Sequence, residues 1–230
     1  MIEIHVFDNA EGVAQAGAAV FLDEYEKAIA LKGEFVVGLS GGSTPKRMHA
    51  LLVGLEIEWS LVTVVLGDER YVPPEDPQSN ERMVRETLVD HVPVGSFLPM
   101  YRGESPEADA RSYEEVLPFV DLIYLGLGDD AHTASLFPGE LGVFDDDHKV
   151  IAAKAPVNAP DRITLTANCI TCFPKVAFLV AGESKAEAAW RCLEGPVDIA
   201  NVPSQAIARF APNVVWLTDR LAVTKLQAGA

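Results

Sequence analysis

Between Phe35 and Lys46 the chain reads FVVGLSGGSTPK: a short apolar stretch, a turn of glycine and hydroxyl residues, then Pro45. Thr44 suits a helix N-cap, and Pro45 suits the first helical position, where a missing N–H costs nothing. Gly41 and Gly42 lack a Cβ, so the backbone can turn tightly and aim free N–H groups at an anion held at the helix start. With Ser43 and Thr44 beside them, that is the chemistry of a phosphate cradle. A strand-to-helix turn that merely needs glycine fits the same residues. Two nucleophile patterns overlap it: Gly38-Leu39-Ser40-Gly41-Gly42 matches G-x-S-x-G, and Ser43 with Lys46 matches S-x-x-K. The first wants a helix starting almost at the serine and a histidine late in the chain, yet Pro45 should delay the helix and no histidine follows His148. The second lacks its companion Ser-Asp-Asn and Lys-Thr-Gly elements.

Among the histidines, only His132 falls at a strand end beside carboxylates, in Gly128-Asp129-Asp130-Ala131-His132-Thr133. A neutral imidazole there can take a proton from water near neutral pH, and Asp130 can fix its tautomer and stabilise the imidazolium. A histidine that simply caps the Thr133 to Leu136 segment is the competing reading. Asp68, Glu69 and Arg70 follow another strand, where they suit either a site or a self-satisfied ion cluster. The cations placed to meet an anion are Arg70, Arg162 and Lys185: arginine offers a fork matching phosphate oxygens, and lysine a mobile point charge. Lys46 and Arg47 should point to solvent. These residues suggest a phosphorylated small molecule handled by a carboxylate–histidine site, with no metal and no cofactor.

Such residues need elements to hold them. Apolar runs of strand length recur at Ile2–Phe7, Phe35–Leu39, Leu61–Leu66, Leu122–Leu127, Val150–Ala153, Val176–Val180 and Val214–Leu217. Near-continuous hydrophobicity marks strands covered on both faces. Helical patterns lie between them at Ala10–Leu31, Pro45–Leu52, Ser79–Leu88, Ala108–Val116, Lys185–Leu193 and Leu221–Gln227. The alternation predicts an α/β fold: a mostly parallel sheet with helices on both faces, in one domain over residues 1–230. Ligands of open α/β sheets collect at the carboxyl ends of strands, where four polar clusters introduced by glycine fall here.

The 230 residues, 49% of them hydrophobic, can bury a sizeable core. A net charge of −16 argues against nucleic acid and anionic membrane surfaces, so an anionic ligand must be met by a few cations gathered locally. The N-terminal residues Met1-Ile-Glu-Ile-His-Val do not resemble a signal peptide, and the expected compartment is the cytoplasm. Three cysteines suit a reducing environment. Cys169 and Cys172 form C-x-x-C, read as packing on one helical face, and the acidic run Asp145 to Asp147 as a solvated loop.

In this order, SGGSTP, GDERYVPPEDPQSN, LGLGDDAHTASLFPG, RITLT and GESKA resemble the 6-phosphogluconolactonases. The resemblance covers nearly the whole chain. It implies a modified Rossmann-like three-layer fold shared with glucosamine-6-phosphate isomerases, and hydrolysis of 6-phospho-D-glucono-1,5-lactone by a monomer or small homo-oligomer. By the same resemblance, Gly41, Gly42, Ser43 and Thr44 sit at the phosphate with Arg162 and Lys185, and Arg70 holds substrate at the pocket wall. His132 is the general base, with Asp130 beside it and Asp68 at the floor. The chain departs from the pattern at Ala131, where glycine is usual. If that position needs φ > 0, alanine costs about 1–2 kcal/mol or shifts the loop. A related isomerase or deaminase would carry Asp-Glu-Tyr at 68–70 and a glutamate at Phe137. A non-catalytic sugar-phosphate sensor would need an appended DNA-binding helix pair and a basic face.

Overall fold

In the computed structural model, which describes residues 2–140, 145, 147–156 and 159–227, a seven-stranded sheet carries the site. Its order is β1-β10-β9-β6-β2-β3-β5, and every pairing is parallel. The strands are β1 (Ile2–Phe7), β2 (Phe35–Leu39), β3 (Val62–Leu66), β5 (Ser96–Leu98), β6 (Leu122–Leu125), β9 (Lys175–Val180) and β10 (Val214–Asp219). The central strands β2 and β6 are buried along their whole length, as apolar runs covered on both faces require. Strand β1 is an edge and only partly covered.

A second, three-stranded sheet, β4-β8-β7, is antiparallel and joins β4 (Asp68–Arg70), β8 (Arg162–Leu165) and β7 (Val150–Ala153). Val150–Ala153 was expected as one more strand of the parallel sheet. It lies here instead because β8, only four residues long, returns against it in register Val150↔Leu165.

Helix α1 (Ala10–Lys32) begins at Asn9, whose side chain accepts the Gly12 N–H, and ends at Gly33 with φ 78. Helix α2 (Ser43–Leu52) starts earlier than Pro45. Thr44 is therefore inside the helix, not its N-cap, and Pro45 costs no hydrogen bond because the first-turn N–H groups have no helical acceptor anyway. Helices α3 (Asn80–Thr87) and α4 (Pro106–Val116) are capped by Ser79 and Ser105. The short α5 (Ala167–Thr171) was anticipated only through the Cys169 and Cys172 spacing, and α7 (Ser204–Phe210) was not read from the sequence. Helix α6 (Ala186–Leu193) follows a 3₁₀ turn at Glu183–Lys185. The helix expected at Leu221–Gln227 does not form: the segment is a series of turns, too short to repay helix nucleation. Cys172 lies just past α5 and is exposed while Cys169 is buried, so the pair does not share a packed face. Around Asp145 the backbone forms a local turn, its carboxylate accepting the N–H groups of Asp147 and His148; Asp146 lies outside the described residues.

Glu69 ties the small sheet to the start of α3. It is buried, and its carboxylate accepts from the backbone of Arg70, Asn80 and Glu81 and from the Ser79 hydroxyl. Two of those donors are the first N–H groups of α3, where a negative charge meets the helix dipole. Burial pushes the carboxyl up to about 7, while the backbone N–H bonds pull the other way. In Glu69→Gln an NH₂ would face N–H donors. The expected loss is about 1–3 kcal/mol in urea denaturation at about pH 4 to 5, narrowing as pH rises through about 7 because the native carboxyl's pKa is raised on folding, and an unchanged midpoint at the low pH would show that the cluster contributes nothing.

Candidate active site

The carboxyl ends of β2, β3, β6 and β9 open into one cavity of about 620 Å³. Its walls include Gly41 to Thr44, Asp68 and Arg70, Asp129, Asp130 and His132, and Lys185. Nearly all the residues singled out in the sequence thus meet in one place. Arg162 does not line the cavity: it stands behind the wall on β8, directly cross-strand from Arg70.

The turn after β2 forms one side. Gly42 has φ 115, a backbone that side chains rarely adopt, and its carbonyl accepts the Lys46 N–H as the first helical bond. The N–H groups before Lys46 begin a helix and have no helical acceptor, so this end of α2 can receive an anion. Lys46 and Arg47 are exposed, as expected.

Beside it, the loop after β6 carries Asp130 and His132. Asp130 Oδ1 lies 2.5 Å from His132 Nδ1 and also accepts the His132 backbone N–H at 3.1 Å. The imidazole contact is the main reason that the Asp130 carboxyl falls to about 2. With Nδ1 donating to the carboxylate, Nε2 is the lone-pair nitrogen and has no protein partner among the described residues. The other histidines are placed differently. His49 is fully buried, which drives it down to about 3, and its Nδ1 meets the Thr87 hydroxyl. His5, His91 and His148 are engaged by Glu3, the Glu86 carbonyl and Asp145.

Backbone geometry sets the His132 ring. Ala131 is left-handed, φ 72, and fully buried, so the position where the resemblance led glycine to be expected does require φ > 0. A Cβ on Gly128 would lie 2.1 Å from His132 Nδ1, so only glycine lets the imidazole fold back against this strand end. The ring centroid of Phe137 is 5.0 Å from that of His132.

Asp68 is almost fully buried and accepts from Ser135 Oγ at 2.6 Å and Asn80 Nδ2 at 3.3 Å. Neither Ser135 nor Asn80 was singled out as a partner, although both lie within the quoted motifs. Arg70 reaches the Gln78 carbonyl, and Arg162 the carbonyls of Pro160 and Asp161, with its guanidinium 5.9 Å from the centre of the Phe137 ring. Burial, together with the nearby charge of Arg70, lowers the Arg162 pKa. Lys185 binds Asp129 Oδ1 at 2.6 Å, and Ser184 reaches the same oxygen. The turn that carries Lys185 is fixed by Asp219, whose two carboxylate oxygens accept the Gly182 N–H.

The arrangement offers a base with an oriented lone pair, an anion-receptive helix start, and a lysine whose partner is a mostly exposed aspartate.

The family profile described as glucosamine-6-phosphate isomerases/6-phosphogluconolactonase matches residues 8–216. A 6-phosphogluconolactonase of Synechocystis is 34% identical over 98% of both chains. One from Haemophilus influenzae is 37% identical over 83% of this chain and 87% of its own. The crystal structure of a 6-phosphogluconolactonase from Shewanella baltica superposes with a TM-score of 0.88 at 28% identity, covering 95% of this chain and 97% of that one.

Asp130 also gives the loop a pH signature. Its folded-state pKa lies below the unfolded one, so the stability that it contributes is complete above the ordinary carboxylate range and is lost as pH falls through about 2. The stability margin of the native chain over Asp130→Asn is expected to shrink between about pH 4 and about pH 2 in urea melts, and a margin that stays constant would contradict the pairing.

Proposed function

The chain belongs to the glucosamine-6-phosphate isomerase/6-phosphogluconolactonase family, and within it we propose that it hydrolyses 6-phospho-D-glucono-1,5-lactone to 6-phospho-D-gluconate in the oxidative pentose phosphate pathway. As such it is a carboxylic ester hydrolase, working in the cytoplasm as a single domain, monomeric or in a small homo-oligomer, without metal or cofactor. The observation that carries the reading is the Asp130–His132 pair sharing one cavity with the open start of α2 and with Lys185.

In this reading the substrate phosphate lies on the Gly41 to Thr44 turn, its charge met by Lys185 and, from behind the wall, by Arg162. Arg70 bounds the sugar, and Asp68 forms the floor. Phosphate binding then places the lactone C1 toward His132. Nε2 removes a proton from water as the water oxygen bonds to C1, and Asp130 stabilises the imidazolium through Nδ1. The tetrahedral intermediate collapses by breaking the bond from C1 to the ring oxygen. That oxygen leaves as the C5 hydroxyl, taking the proton back from His132. The isomerase or deaminase alternative needs further acid–base groups, and the Phe137 ring beside His132 supplies none.

His132→Ala is expected to lower kcat by about 10² to 10⁴ with KM little changed, once spontaneous ring opening is subtracted in an assay coupled to 6-phosphogluconate dehydrogenase. A rate equal to that of the native chain would refute the base assignment. Lys185 and Asp129 give a second check. Lys185→Met should raise KM by about tenfold, whereas Asp129→Asn, which leaves the ammonium free for phosphate, should lower it. A KM left unchanged by Lys185→Met, or raised by Asp129→Asn, would remove Lys185 from the phosphate site.

A further inference from the structure

The loop that carries His132 holds a conformation that its own sequence resists. Ala131 is left-handed, and for a residue with a Cβ this disfavours the conformer by a factor of roughly 5 to 30. Such a backbone persists only where its surroundings over-determine it. Besides the His132 N–H held by Asp130 Oδ1, three contacts do so here. The Ala131 N–H donates to the Gly128 carbonyl at 3.0 Å, and the Ala131 carbonyl accepts the Ser204 N–H at 3.4 Å. The Asp130 carbonyl accepts from Arg191 Nη1 at 3.1 Å. The peptide plane between Asp130 and Ala131 is thus held at both its oxygen and its hydrogen, and it is this plane that would rotate if φ at Ala131 relaxed.

Of these three contacts, only the one from Arg191 comes from a side chain. Arg191 stands in the last turn of α6 and is half-buried, and its second terminal nitrogen donates to the Asn201 carbonyl at 3.0 Å. It forms no ion pair with a carboxylate among the described residues, so its fork is spent on two backbone oxygens from separate segments. Its own backbone is anchored too. Gln205 in α7 is fully buried and donates to the Arg191 carbonyl at 2.8 Å and to the Pro196 carbonyl at 2.9 Å, while its oxygen accepts the Asp198 N–H. The guanidinium therefore projects from a fixed base onto the peptide next to the catalytic histidine.

We infer that Arg191 is a positioning residue for hydrolysis: it clamps the Asp130–Ala131 peptide and so keeps the strained loop in the conformation that aims His132 at the substrate. The inference rests on the reading of His132 as the base. Arg191 touches neither substrate nor imidazole, so its removal should act on kcat rather than on phosphate binding. Its contribution should also depend on the residue at position 131. Glycine reaches the left-handed region freely, so a loop with glycine there has less strain to hold and needs the clamp less.

The test is a double-mutant cycle between Arg191→Met and Ala131→Gly, with Arg191→Lys as a milder variant that keeps the charge but cannot bridge two carbonyls. Lactone hydrolysis is measured at equal folded concentration, verified by circular dichroism, with His132→Ala run alongside. Arg191→Met should lower kcat by about tenfold with KM within about twofold, and Arg191→Lys by nearly as much. In the Ala131→Gly background the loss should fall to about threefold or less. Equal losses in both backgrounds, or a native kcat in Arg191→Met, would overturn the clamp. If Arg191→Met does not fold, the same comparison with Arg191→Lys decides. A native rate in His132→Ala overturns the base assignment itself, whereas a lost rate there beside a native kcat in the Arg191 variants overturns the clamp alone.

Discussion

Parallel pairing of β9, β6 and β2 at the centre of the sheet is the constraint from which the site follows. Parallel neighbours must each return by a crossover, so all their carboxyl ends fall on one edge. The turn after β2, the loop after β6 and the turn after β9 are brought side by side although they are far apart in sequence. Each then needs a local device to aim its groups: Gly42 for the helix start, Gly128 and Ala131 for the imidazole, and Asp219 for the turn that holds Lys185.

The small antiparallel sheet supplies the remaining wall. Glu69 pins β4 to the start of α3, and that contact brings Asn80 and Asp68 together while leaving Arg70 on the cavity. Ser135 crosses from the His132 loop to Asp68, and its N–H meets Thr164 on β8, so that loop is stitched to this sheet as well. In a chain of net charge −16, the cations here are met largely by carbonyls. Lys185 is the exception, and its partner Asp129 is mostly exposed.

Much of this was legible in the sequence because the central strands are continuous apolar runs and the motifs fall directly after them. The α/β class, the parallel sheet and the gathering of residues 41–44 with Asp68, Arg70, Asp130, His132 and Lys185 follow from that pattern. What was missed has physical reasons. Strands β4 and β8 are three and four residues long and rich in charged or hydroxyl residues, so no periodicity announces them. The N-terminal shift of α2 past Pro45 reflects the tolerance of a first turn for proline, which sequence position alone does not reveal. Arg191 and Gln205 act on backbone carbonyls across α6 and α7, a contact no local pattern encodes.

The most direct measurement is a crystal structure of the chain with 6-phospho-D-gluconate bound. The expected result has the phosphate on the N–H groups of the turn at Gly42 to Thr44 beside Lys185, and a C1 carboxylate oxygen within about 3.2 Å of His132 Nε2. A product bound with its carboxylate in the phosphate cradle, or with C1 beyond the reach of His132 even through one water, would contradict the proposed chemistry.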